Sequence, residues 1–119
     1  MITYTISDDT VLMVNNKQND FRHNINRVVE IEGLLIVHTF DSIEKKGNIK
    51  MFEQPVNGVY AINASGVIEW NIKDIIHNED MYTGILTDEK GNLVVNTFSG
   101  IAKIIDVKTK RIIGKLVTK

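Results

Sequence analysis

The sequence predicts an all-β domain of antiparallel hairpins, and three observations carry that reading. Valine, isoleucine and threonine fill short runs along the whole chain. Small clusters of Asn, Asp, Gly and Lys separate those runs at close intervals, and the single proline is Pro55. No segment sustains the apolar periodicity that a long helix needs.

Thr10 to Val14 is the first apolar run, and the polar stretch Asn15 to Asp20 after it is expected to be a loop. Val28 to Ile31 and Leu34 to Phe40 bracket Glu32-Gly33. Residues 41 to 55 form the longest irregular stretch, with a solvated turn at Lys45, Lys46, Gly47 and Asn48. The clearest hairpin spans 58 to 72, where two apolar runs flank Asn63-Ala64-Ser65-Gly66. On its return strand Val67, Glu69 and Asn71 are expected to face one way, and Ile68, Trp70 and Ile72 the other. Ile72 to Ile76 suits a single helical turn. Thr83 to Leu86 and Leu93 to Phe98 flank Asp88-Glu89-Lys90-Gly91-Asn92. Ile101 to Ile105 and Arg111 to Val117 flank Asp106 to Lys110.

One unit recurs. Gly33 to Phe40 reads G-L-L-I-V-H-T-F and Gly91 to Phe98 reads G-N-L-V-V-N-T-F. A glycine-led strand follows each, Gly58 to Ile62 in the first copy and Gly100 to Ile104 in the second. His38 and Asn96 fall at one position of the repeat, which suggests a shared hydrogen-bonding slot. Asp8 to Val14 fits the first strand of a more degenerate copy. The units are expected at about 33–76 and 83–119, with the degenerate one over about 1–32, all within one domain.

The strand G-N-L-V-V, the strand after it, and N-A-S-G-V-I-E-W, with its glycine turn before a tryptophan strand, resemble a blade of the quinoprotein-like or WD-like β-propellers. In the second copy Ile112 or Ile113 falls where that tryptophan would stand. The resemblance implies architecture and no functional residue. A closed propeller needs at least about four blades of about 40 residues, and 119 residues hold fewer. The expected architecture is therefore a sandwich or an incomplete propeller-like array, with strand edges or a sheet face left for a partner.

Composition narrows the chemistry. With no cysteine, disulfides, thiolate metal sites and cysteine catalysis are excluded. The N-terminus lacks the pattern of a signal peptide, and no run is long enough for a spanning helix, so a cytoplasmic protein without membrane contact is expected. Residues 1–98 hold 14 acids against 8 bases, while residues 99–119 hold 1 acid against 6 bases. The basic end has no aromatic after Phe98 to stack on a base, so nucleic-acid binding is not expected. His77-Asn78-Glu79-Asp80 is half of a metal site and lacks the rest. The acid pairs Asp8-Asp9, Glu79-Asp80 and Asp88-Glu89 sit in turn-like segments and fix no catalytic separation. No cofactor, metal or catalytic residue is expected.

The remaining reading is a non-catalytic protein that binds another protein. Small stand-alone blade-like domains rich in Asn, Ile and Lys resemble bacterial immunity proteins, which implies a cognate toxin, such as a basic nuclease, whose active site is covered. An acidic face would steer that encounter. Its expected residues are Asp74, Glu79, Asp80, Tyr82, Asp88 and Glu89, with Asp41 and Glu44 as the next candidates. A ligand-binding sandwich with a cavity lined by Phe40, Phe52, Tyr60 and Trp70 is the alternative, as is a scaffold that pairs with copies of itself.

Overall fold

A computed structural model describes residues 1–41 and 54–117. Glu44, Phe52 and the turn expected at Lys45 to Asn48 lie outside the described residues. The described residues form eleven strands: β1 Thr5–Ser7, β2 Val11–Val14, β3 Lys17–Asp20, β4 Ile25–Ile31, β5 Leu34–Thr39, β6 Val59–Ile62, β7 Ile68–Asn71, β8 Tyr82–Thr87, β9 Leu93–Thr97, β10 Ile101–Asp106 and β11 Arg111–Val117. All pairings are antiparallel. They make three sheets in simple meander order: β1-β2-β3, β4-β5-β6-β7 and β8-β9-β10-β11. Among the described residues no ring of sheets closes.

Turn chemistry sets each hairpin. Asn15-Asn16 and Glu32-Gly33 are two-residue turns with positive φ at both positions (51° and 64°, 52° and 74°), the geometry whose twist matches the flanking strands. Asn63, Asp88 and Asp106 open the longer turns in one manner. The side-chain oxygen of each accepts backbone N–H groups just ahead: Ser65 and Val67, Lys90 and Asn92, Lys108 and Thr109. A single 3-10 turn, Ile72–Asp74, follows β7 and is held by a reciprocal capping box between Asn71 and Asp74.

The sheets stack in three layers, and the middle one is buried on both faces. Leu35, Val37 and Ile62 point from the middle sheet toward Leu12 and Val14 of the first. Ile36, Val59, Ala61 and Trp70 point the other way, toward Tyr82, Ile85, Leu93, Val95 and Ile105 of the third. Strict alternation along L-L-I-V-H-T thus serves two cores at once. Tyr60 packs on Phe21 in the first seam, the rings tilted with centroids 4.7 Å apart, whereas Trp70 lies in the second. The two rings occupy opposite faces, so they do not line one cavity.

The register shows what the repeat encodes. β5 and β9 are both second strands of four-stranded meanders. The first strand of each sheet bulges at the same place: Ile25 and Arg27 pair with Thr39 and His38, and Tyr82 and Gly84 with Thr97 and Asn96. The last two strands bulge together as well, Ala61↔Trp70 then Ile62↔Ile68, and Ile104↔Gly114 then Ile105↔Ile112.

Several expectations change on this register. β4 at Ile25–Ile31 is the first strand of the middle sheet. Val59, paired with His38, matches Ala102, paired with Asn96, so the third strands align one residue away from a glycine-to-glycine match. Gly114, and neither Ile112 nor Ile113, stands where Trp70 stands. Lys17–Asp20 is a strand, because an edge partner for β2 needs no apolar side chain of its own. Ile68 is exposed despite the expected alternation, since the bulge at Glu69 rotates it off the Trp70 face.

Candidate functional site

The stack has two ends of different character. At one end, backbone hydrogen bonds tie the strand ends together, and those of Ile25 and Asn57 cross from one sheet to the next. Ile25 N–H donates to Asp9 C=O at 2.7 Å, Phe40 to Asn24 at 2.9 Å, Thr39 to Gly58 at 2.9 Å, Asn57 to Asp80 at 2.8 Å and Phe98 to Met81 at 3.0 Å. The connections between sheets converge here. The opposite end carries the hairpin turns of Asn15-Asn16, Glu32-Gly33, Asn63–Gly66, Asp88–Asn92 and Asp106–Lys110.

The connection end gathers acids from all three sheets: Asp8, Asp9 and Asp20 from the first, Asp41 and Asp74 from the second, and Glu79 and Asp80 leading into the third. Described bases here are Arg22 and Lys73. Burial gives these carboxylates different work. Asp41 is buried, and its carboxylate accepts His23 Nδ1–H and Asn24 N–H, each at 2.8 Å. Its backbone exchanges hydrogen bonds of 2.8 and 2.7 Å with the Gln54 amide. Asp74 is held by Asn71 N–H at 3.0 Å.

Glu79 and Asp80 remain beside open space. With Val56 and Met81 they line a shallow depression of 370 Å³. Val56 is 49% exposed, an apolar floor inside an acidic rim. Lys73 approaches Glu79 at 3.9 Å, with both side chains largely in solvent, where such a pair contributes only about 0–1 kcal/mol. Asp80 accepts the Met81 N–H at 2.8 Å, which fixes its orientation at the rim.

The expected acidic face is therefore divided. Tyr82 is 1% exposed and packs in the second core, so it offers no contact surface. Burial first, and Asp80 second, push its phenol up to about 12. Asp41 is spent inside the fold. Asp88 and Glu89 lie at the hairpin end, because β8 carries the chain across the sheet between Asp80 and Asp88, a run of six residues or roughly 20 Å. Hydrogen bonds from its own turn, Asn92 first, hold the Asp88 carboxyl below its ordinary value. Glu44 lies outside the described residues. Val56 and Met81 carry no signal in the sequence beyond being isolated apolar residues in turn-like segments.

Residues 1–116 match the family model described as Domain of unknown function (DUF7957), and the chain belongs to that family. Comparison with curated proteins finds no match.

Proposed function

We propose that this member of the DUF7957 family acts by binding another protein, without catalysis. The most concrete form is an immunity protein that covers the active site of a cognate bacterial toxin. The observation that carries this reading is the depression of Val56, Glu79, Asp80 and Met81, set in the acidic end of the stack. An apolar floor rewards burial of a partner side chain, and the acidic rim favours a basic one and speeds encounter. A nuclease active site, basic because it holds phosphate, is a surface of that kind.

The test is a titration against the toxin-like product of the adjacent gene, together with protection of cells expressing it. Val56→Asp and Glu79→Lys change exposed side chains and leave the fold intact. Each is expected to weaken binding by at least about tenfold, or roughly 1.4 kcal/mol, and to abolish protection. Absence of binding by the unaltered protein, with no protection, overturns the reading.

A further inference from the structure

Among the described residues no further sheet covers the outer face of the third one, where Val94 is buried and apolar residues around it are exposed. The row Leu86–Val94–Ile104–Gly114 crosses this face, with Leu116 in the next row and Ile113 at the bulge. Leu86 is 41% exposed, and Ile113 and Leu116 are each 54% exposed. By the register of the repeat, this row is the counterpart of Val29–Ile36–Ala61–Trp70 in the middle sheet. That earlier row is the one the third sheet covers. The third sheet thus repeats a face that elsewhere in the molecule is packed. Gly114 leaves space where Trp70 fills it, and Ile104 folds over that space, 3.2 Å from where a Cβ on Gly114 would stand.

We infer that a second copy of the chain docks on this face, sheet against sheet, about a two-fold axis parallel to the strands. Three features select that arrangement. Head-to-tail stacking would set the face against the outer side of the first sheet, which carries Thr5, Ser7, Gln18 and Asp20 beside Val11 and Met13; a polar layer is a poor cover for an apolar one. Edge pairing of β11 with its own copy would bring the bases Arg111 and Lys115 of two strands together. The face-to-face two-fold does the opposite.

It lays β8 of one copy over β11 of the other with their hairpin ends aligned. The turn holding Asp88 and Glu89 then meets the turn holding Lys108, Lys110 and Arg111, twice by symmetry. A hollow of 410 Å³ waits at that position, lined by Asp88, Glu89, Lys90, Asn92, Ile104 and Ile113. A face four strands wide is small beside a standard interface, so the dimer is a weak one that dissociates on dilution. The connection end stays open in both copies, so the arrangement stands independently of the proposed partner site.

Sedimentation equilibrium of the full chain, from about 1 to about 500 µM, tests it. A monomer–dimer equilibrium is expected, weakened by salt. Leu116→Lys is expected to give a monomer throughout, with the unfolding temperature of the parent protein. Glu89→Lys is expected to weaken the dimer at least about tenfold, and Glu89→Lys with Lys110→Glu to restore it, since each new charge meets its opposite on the partner copy. A monomer at every concentration overturns the inference. So does a dimer indifferent to Leu116→Lys, and so does failure of the charge exchange to restore association.

Discussion

His38 Nε2 donates a hydrogen bond to the backbone carbonyl of Tyr82, joining the middle sheet to the third at the connection end. A carbonyl only accepts, so Nε2 carries the hydrogen and the neutral ring accepts Asn26 Nδ2–H on Nδ1 at 3.0 Å. The ring is 0% exposed and lies near Phe40, with centroids 6.0 Å apart.

Folding stability is expected to depend on this ring at mildly acidic pH. Burial holds the His38 pKa below its ordinary 6.5, against a smaller opposing effect of the Tyr82 hydrogen bond. The unfolded chain therefore takes up a proton before the folded one does. The contribution is constant above about pH 6.5 and is lost as pH falls toward the folded value, at up to about 1.4 kcal/mol per unit. Urea denaturation from about pH 5 to about pH 8 measures it. His38→Asn, which installs the residue found at the matching place in the third sheet, removes that slope. It also costs about 1–3 kcal/mol at neutral pH by stranding the Tyr82 carbonyl.

Tyr82→Phe is expected to leave stability unchanged or raise it by up to about 1 kcal/mol. Its hydroxyl is buried with no hydrogen-bond partner among the described residues, as is Trp70 Nε1. Trp70→Ala, which empties the centre of the second core, is expected to cost about 3–5 kcal/mol. Denaturant midpoints of the two variants give the comparison, and a clear loss in Tyr82→Phe would show that the hydroxyl is satisfied.

Gly66→Ala is expected to loosen the first sheet. Gly66 has φ +84°, and a Cβ there would lie 2.6 Å from the Val14 carbonyl oxygen and 2.8 Å from Lys17 Cβ. The left-handed backbone adds roughly 1–2 kcal/mol for alanine, and the clash with main chain roughly 1–3 kcal/mol. The loss should appear as an earlier urea midpoint together with faster proteolysis before residue 25.

Asp41→Ala is expected to cost about 1–3 kcal/mol by removing the acceptor of His23 and Asn24. Glu79→Lys, on the open rim, is expected to leave the unfolding temperature within about 2 °C of the parent protein. Thermal scans of the pair separate the acid that builds the connection end from the acid that faces outward.

Much of this fold is legible in the chain. G-L-L-I-V-H-T-F and G-N-L-V-V-N-T-F mark equivalent strands, and Asn63, Asp88 and Asp106 mark turns that form as written. What escapes is whatever depends on neighbours. β3 reads K-Q-N-D and carries no apolar signal because its role is to pair, not to pack. Arg111 to Val117 reads as a strand, and only the stacking order shows its apolar residues in solvent. The acidic residues also looked like one face. Asp80 and Asp88 are eight positions apart, but the strand between them is extended and sets its two ends at opposite ends of the sheet.

The middle sheet, covered on both sides, has a consequence for exchange with solvent. An amide in β5 has a strand on each flank and a sheet above and below, so deuterium reaches it only when the layers part. The amides of Leu35 to His38 should exchange at the rate of global opening and so report the full unfolding free energy. Those of β1 and β11, each at the edge of its sheet among the described residues, need only local fraying. A spread of protection factors that peaks at β5 and declines outward in both directions would be the kinetic imprint of a three-layer stack.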